Sequence, residues 1–264
     1  MNTVLETKDL NKWYPLGRDK RVNVLKNIDL VINRGEFVSV MGPSGSGKST
    51  LLYTISGMDR VSSGSVRFNG REINKLPEKE LSRLRLKEMG FIFQQIHLLK
   101  NLSLLDNIML SAYLNRGRSR SEINRRARRL MELTGIAPLA RNSTDQASGG
   151  QLQRVGICRG LINEPAVLFG DEPTGALDSQ SALEILDIIK EVHSSGTSVV
   201  LVTHDTGVAA RSERVLYMLD GRITAEKTLG TFSGGKGEAR TRQESLNDWL
   251  ANLSRSRNEG PVCV

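Results

Sequence analysis

The octapeptide GPSGSGKS, Gly42–Ser49, matches the pattern G-x-x-x-x-G-K-S, and the chemistry that suits it is phosphate capture. Its glycines let the backbone through Gly42, Pro43, Ser44, Gly45, Ser46 and Gly47 turn sharply, with N–H groups pointing inward at phosphate oxygens. Lys48, Ser49 and Thr50 then open a helix whose N-terminus favours anions. Lys48 suits β- and γ-phosphate charge, and Ser49 offers Mg2+ a hard oxygen. With average glycine usage, the four fixed positions co-occur by chance in roughly one chain per hundred of this length, before any strand–helix context is required. AVLFGDEP, Ala166–Pro173, delivers Asp171 and Glu172 to the C-terminal edge of a buried strand, where open α/β sheets place ligands. Asp171 suits the metal side, holding Mg2+ mostly through water, and Glu172 suits a general base for an attacking water. Alone, such a pair reads equally well as a solvated strand end. His204, closing VLVTHD, is placed as a neutral hydrogen-bond partner for a γ-phosphate, and Gln94 is a neutral amide after FIF. Taken singly, each is an ordinary strand-end residue. A second glycine turn, Ser148-Gly149-Gly150-Gln151, remains unexplained, because one nucleotide needs one phosphate loop.

The elements that must position these residues can be read from apolar spacing. From Val4 to Phe93 the chain alternates short strands and turns, with the helical TLLYTISGM directly after the phosphate loop. From about Leu98 to Ile162 the pattern is helical, with Ile123, Ala127, Leu130 and Met131 on one face. After Pro165, buried strands alternate with helices (AVLFGDE, SQSALEILDIIKEVHSS, SVVLVTHD, RVLYMLDG), which predicts a mostly parallel sheet covered on both sides. Residues 228–243, TLGTFSGGKGEARTRQ, read as a polar linker. Within it, Ser233-Gly234-Gly235-Lys236 imitates the second glycine turn but reads as flexible spacer. Leu246, Trp249, Leu250 and Leu253 then predict a short amphipathic helix capped at Ser245, packed on the protein's own core or docked on another chain.

Composition narrows the classes. The 264 residues are 38% hydrophobic and 25% charged, as in a water-soluble globular protein. No apolar run reaches the roughly 18–20 residues needed to cross a bilayer. The acidic residues near the N-terminus and the lack of an apolar stretch there argue against a secretory leader, so a cytoplasmic location is expected. Two cysteines, Cys158 and Cys263, without metal-ligand spacing, argue against a disulfide framework or a zinc site. The net charge of +8 draws on the arginine run at 116–130, RGRSRSEINRRARRL. That run reads by default as the solvated face of a helix, with anionic lipid headgroups or nucleic acid as the alternatives.

The ordered set MGPSGSGKST, FIFQQ, SGGQLQR, LFGDEPTGALD and VTHD closely resembles the nucleotide-binding subunits of ABC transporters, over about residues 4–228. The resemblance implies an α/β P-loop ATPase at 1–230, with an N-terminal antiparallel β-subdomain, a mostly parallel core sheet and a helical subdomain at about 98–162, followed by the 231–264 tail. It implies two copies paired head to tail around two ATP molecules. Tyr14 would stack on adenine, with Trp13 as a competitor. Gln94 would approach Mg2+ and the attacking water, and Asp178 would cross the pair's interface. Ser148, Gly149, Gly150 and Gln151 would complete the partner's site, with Ser148 and Gly150 on its γ-phosphate. Two departures stand out: Ala147 replaces the usual aliphatic residue before SGGQ, and Gly170 replaces the usual alanine before the acid pair, a loss of one methyl group expected to be tolerated.

Within the family, VLKNIDLVINRGEFVSVMGPSGSGKSTLL and GFIFQQIHLL are most like the branch of bacitracin-type peptide-resistance, macrolide-export and lipoprotein-release ATPases, and PTGALDSQSA leans towards peptide resistance. The partner implied is a separate transmembrane permease, with the ATPase peripheral on the inner face of the membrane. The alternatives are a macrolide-export, lipoprotein-release or cell-division type complex, and a soluble ABC ATPase acting on nucleic acid or ribosomes. The last lacks the fused second cassette or long coiled coil typical of that group, so no specific nucleic acid is expected. A non-hydrolysing regulatory module is a further alternative, disfavoured because Lys48, Asp171, Glu172 and His204 are all present.

Overall fold

A computed structural model describes residues 2–17, 20–235 and 237–258. Cys263 and Lys236 lie outside the described residues. The chain begins with two long strands, β1 (Thr3–Leu16) and β2 (Lys20–Asn33), paired antiparallel. Next come β3 (Phe37–Met41), helix α1 (Lys48–Ile55), β4 (Ser63–Phe68), β5 (Arg71–Glu72), α2 (Glu78–Glu88) and β6 (Met89–Phe93). Strands β2-β1-β4-β5 form one antiparallel sheet. Helix α2 is absent from the sequence expectation of a strand-rich front. It is charged on most sides, and only Leu81, with Leu84 partly buried beside it, faces the core, so its apolar stripe is too short to read.

Helices α3 (Leu104–Asn115), α4 (Arg120–Leu133) and α5 (Gly149–Leu161) follow, with short 3-10 turns at Ala137–Leu139 and Thr144–Gln146. The fully buried residues of α4 are Ile123, Ala127, Leu130 and Met131, the face expected from their spacing. The rest of the helix surface carries the arginines, and three arginines of the basic run bond within the chain, one of them Arg128 to Asn124 Oδ1 at 2.8 Å. Arg126 donates to the carbonyls of Leu161 and Ile162, and both Arg118 and Arg126 pair with Glu164.

The chain then alternates through β7 (Val167–Asp171), α6 (Ser179–Ser194), β8 (Ser198–Val202), α7 (Thr206–Ala209), β9 (Arg214–Leu219), β10 (Arg222–Thr228) and α8 (Glu238–Asn258). The second sheet has the order β10-β9-β3-β8-β7-β6, parallel throughout except at the β9–β10 hairpin. Strands β3, β7 and β8 are buried at every position, which is why they read as continuous apolar runs. β10 was not expected. Its signal is the Asp220-Gly221 pair, both at positive φ, a turn that favours hairpins.

The tail differs from the linker-and-short-helix expectation. α8 begins at Glu238, seven residues before the expected Ser245 cap, and Ser245 lies within it. Ser233-Gly234-Gly235 is not loose spacer: the Ser233 hydroxyl and the three successive backbone N–H groups donate to the Glu238 carboxylate. These bonds, led by the Ser233 hydroxyl, pull the Glu238 carboxyl down to about 2. Phe232 beside them receives the cations of Lys190, Arg211 and Arg242 on its ring. Leu246 is fully buried against Met41, Ala209, Ala210 and Val215, and Trp249 meets Tyr217 edge-on, so α8 packs on the chain's own core.

Candidate functional site

Adjacent parallel strands bring the separated motifs to one sheet edge. Val40, Val202, Asp171 and Phe93 form one register row across β3, β8, β7 and β6. Just beyond the C-terminal ends of those strands lie Gly42, His204, Glu172 and Gln94, at strand spacings of about 4.8 Å.

The phosphate loop fills the gap between β3 and α1. At Gly42, with φ +153°, a Cβ would strike the carbonyl of Met218; at Gly47, with φ +99°, it would come within 2.9 Å of Val24 O. Both positions therefore demand glycine. α3, α4, α5 and α6 are each capped by a Ser or Asp side chain, whereas α1 has no side-chain cap and no acid in its first turn. Its N–H groups and positive dipole end are left for an anion. Lys48 Nζ donates to Gly42 O at 2.9 Å and Pro43 O at 3.0 Å. Burial pulls its pKa down, and the nearby Glu172 and Asp171 carboxylates oppose that shift.

Ser49 Oγ donates to Asp171 Oδ1 at 2.9 Å, and Tyr53 OH donates to Asp171 Oδ2 at 2.6 Å. Burial, followed by Asp171, raises the Tyr53 phenol well above its ordinary value, so it remains a donor. The converging hydroxyl and carboxylate oxygens of Ser49 and Asp171 are hard donors of the kind Mg2+ prefers. Tyr53 is not among the residues that the motifs single out. Its signal is its position four residues after Ser49, on the same face of α1.

Glu172 sits at φ +48°, an uncommon conformation for a non-glycine residue with a typical cost of about 1–3 kcal/mol. Its N–H donates to Val202 O at 3.0 Å and its carbonyl accepts from Gly175 N at 3.1 Å, which holds the turn. Glu172 Oε1 lies 2.8 Å from His204 Nδ1, while the His204 side chain is 72% exposed and open to a ligand. If Nδ1 donates to Glu172, Nε2 can donate to a phosphate oxygen only as imidazolium. A neutral His204, as expected from sequence, serves as a phosphate donor only when this pair opens. Gln94 Nε2 lies over Gly175, 3.1 Å from where a Cβ there would sit, so the amide overhangs the turn after the acid pair.

Gly170 corrects a sequence expectation. The space of the missing methyl is occupied by Leu201 Cδ2, 2.4 Å from where a Cβ would sit, so alanine requires the buried Leu201 side chain to shift. Gly170→Ala is expected to cost about 1–3 kcal/mol through overpacking. Equilibrium urea unfolding should show most of that loss recovered in the Gly170→Ala/Leu201→Val double variant, and an unchanged midpoint in the single variant would refute the close fit.

Tyr14 is exposed, and its hydroxyl donates to Asp59. Partial desolvation, followed by Asp59, pushes the phenol up to about 12, with the Thr50 hydroxyl also within reach. Lys12 Nζ lies 4.6 Å from the Tyr14 ring centroid, whereas Trp13 stacks with Arg21. Tyr14 is thus the member of the pair tied to the start of α1. Asp59, unremarked in the sequence, joins it by also accepting from Lys12 at 2.6 Å.

The second glycine turn forms the N-terminus of α5. Ser148 Oγ accepts from Gln151 N, and Gln151 Oε1 accepts from Ser148 N, so the turn caps its own helix. A Cβ on Gly150 would meet Ser181 Oγ at 2.9 Å, and Ser181 in turn donates to Asp178. Asp178 caps α6 through Gln180 N and Ser181 N, and these bonds, led by the Ser181 hydroxyl, lower its carboxyl pKa. Ser148–Gly150 and Asp178 therefore belong to one neighbourhood. Among the described residues, no hydrogen bond joins 148–151 to the phosphate loop. Ala147 is half-buried against the larger apolar cluster, with Leu152 and Leu177.

A family model described as ABC transporter matches residues 25–175, more than half the chain. The chain belongs to the ABC transporter family. Macrolide export ATP-binding/permease protein MacB of Hahella chejuensis is 41% identical over 259 residues, covering 95% of this chain and 39% of its own length. This ABC cassette thus spans about two fifths of the length of such MacB relatives. Lipoprotein-releasing system ATP-binding protein LolD 1 of Chlorobium chlorochromatii is 41% identical, covering 90% of this chain and 97% of its own. The ATP-binding cassette MJ0796, solved as a dimer in a post-hydrolysis state with ADP and Pi, superposes with a TM-score of 0.80 at 39% identity, over 86% of this chain and all of its own. The family match makes this an ATP-binding protein with the α/β ABC-ATPase fold. These relatives correspond to the macrolide-export and lipoprotein-release alternatives rather than to the peptide-resistance lean.

Proposed function

We propose that the chain binds and hydrolyses ATP to drive a membrane permease of the macrolide-export or lipoprotein-release kind. The observation that carries this is the gathering of Lys48, Ser49–Asp171 and Glu172–His204 at one sheet edge beside an uncapped helix N-terminus. In this reading the loop from Gly42 to Thr50 holds the triphosphate, and Tyr14 carries the adenine. Ser49 and Asp171, with Gln94 beside them, hold Mg2+, which offsets phosphate charge. Glu172 takes the proton of the attacking water, and His204 holds the γ-phosphate. Ser148, Gly150 and Asp178 face a second copy and complete its site, as the dimeric assembly of MJ0796 suggests. No helix among the described residues is long and apolar enough to cross a membrane, so the reading draws its membrane spans from the permease and places this domain at the inner membrane face.

Phosphate release from the purified protein is expected to require both ATP and Mg2+ and to change when the permease is added in vesicles. No release in either setting would overturn the enzyme reading.

A further inference from the structure

The loop that carries Gln94 is fastened to α5 at successive points. Gln153 Nε2 donates to Phe93 O at 3.3 Å, immediately before Gln94. Two turns further along α5, Arg159 donates to Ile96 O at 2.6 Å through Nη2 and to His97 O at 2.9 Å through Nη1. Between them, Gly156 presents no side chain, and a Cβ there would come within 3.1 Å of Ile96 Cγ2. His97 is held at φ +48°, so the chain bends sharply where the guanidinium grips it.

The chemistry of Arg159 is unusual for a partly buried arginine. Such a group ordinarily pairs with a carboxylate. Among the described residues, none pairs with Arg159, and burial alone lowers its pKa. Both hydrogen bonds go to consecutive carbonyls of one loop, one from each Nη of the rigid planar fork. The helix itself is seated firmly on β6: a Cβ on Gly90 would lie 2.5 Å from Gly160 O, so strand and helix meet backbone to backbone. At the other end of the same helix, about 16 Å away at 1.5 Å per residue, stands the Ser148–Gly150 turn.

We propose that Arg159 is a positioning residue that locks the Gln94 loop to the helix presenting Ser148–Gly150, so that ATP engaged by one end of α5 is registered at the other. This rests on the paired-cassette function proposed above. Gln94 belongs to the chain's own site and the glycine turn to its partner's. A rigid link between them makes the two sites of the pair interdependent. Without the link, Gln94 still reaches its own site, but the loop no longer follows α5.

Arg159→Gln is expected to keep single-site ATP affinity within about twofold of wild type. Its kcat should fall tenfold or more, its Hill coefficient for ATP should drop from the wild-type value toward one, and amides 95–98 should exchange hydrogen faster. Arg159→Lys, which keeps the charge but lacks the rigid fork, should fall between the two. Gly156→Ala tests the same fastening without touching the guanidinium. Its methyl displaces Ile96 while alanine favours the helix, so kcat and Hill coefficient should fall with no loss of melting temperature. If Arg159→Gln proves poorly folded, Gly156→Ala decides. A wild type that turns over and pairs, with kcat and Hill coefficient unchanged in both variants, overturns this proposal alone. A wild type that neither turns over nor pairs overturns the function reading and this proposal with it.

Discussion

Glu172→Gln is expected to leave ATP binding intact, to slow phosphate release by about 10²- to 10⁴-fold and to accumulate an ATP-bound pair of cassettes. Glutamine has nearly the shape of glutamate, and the φ of +48° at this position is set by the bonds of its backbone to Val202 and Gly175, which the substitution does not touch. What is lost is the capacity to accept a proton. The amide also changes the contact with His204, now 2.8 Å from the carboxylate, from a charge-assisted hydrogen bond to a neutral one. Single-turnover phosphate release measures the first effect, and light scattering at saturating ATP and Mg2+ measures the second. A variant with wild-type turnover would remove Glu172 from the role of base. A variant that stayed monomeric would count against the paired arrangement while leaving the base assignment standing.

Lys48→Ala acts one step earlier, on binding itself. In the structure the ammonium rests on the carbonyls of Gly42 and Pro43, inside the loop where β- and γ-phosphate oxygens are proposed to sit. Removing one member of a partly desolvated charge pair costs about 2–4 kcal/mol. That corresponds to a roughly 30- to 700-fold weaker Kd for ATP. The loss should be much smaller for adenosine, which carries no phosphate. Titration calorimetry with ATP, ADP and adenosine separates these. Wild-type ATP affinity in the variant would refute the phosphate-loop assignment. The two substitutions should therefore divide cleanly: Lys48→Ala empties the site, and Glu172→Gln leaves it filled and idle.

Several parts of this architecture are legible in the sequence because their signals are local. The phosphate loop needs glycine where the backbone turns and lysine where charge collects, so Gly42–Lys48 can be read from residue types alone. The stripe Ile123, Ala127, Leu130 and Met131 follows helical spacing, and its burial bears that out. Other parts were not legible because their cause lies elsewhere in the chain. Helix α2 has only the short apolar face of Leu81 and Leu84 and is held also by polar contacts to its surroundings. Its Arg85 donates to the carbonyl of Gly57 and pairs with Glu78, contacts that periodicity does not reveal. From residue types alone Gly170 is a harmless loss of a methyl group, whereas Leu201, thirty-one residues later, occupies the space. The tail read as a linker because glycine, serine and charge usually mean solvent. Here Glu238 draws the Ser233–Gly235 amides around its carboxylate and starts the helix early.

By itself, the sequence determined the kinds of chemistry present: phosphate-binding amides, a lysine, a pair of acids, a histidine and a second glycine turn. Each depends on residue type and near-neighbour spacing, which the chain carries in plain order. Tertiary structure alone decided which of these meet. Parallel pairing of β3, β8, β7 and β6 brings Gly42, His204, Glu172 and Gln94 to one edge although they are far apart along the chain. Helix packing sets Ser148–Gly150 beside Asp178 and fastens Arg159 to the Gln94 loop. The physical reason is that register and close packing join residues through space, and no short stretch of sequence contains both sides of such a contact.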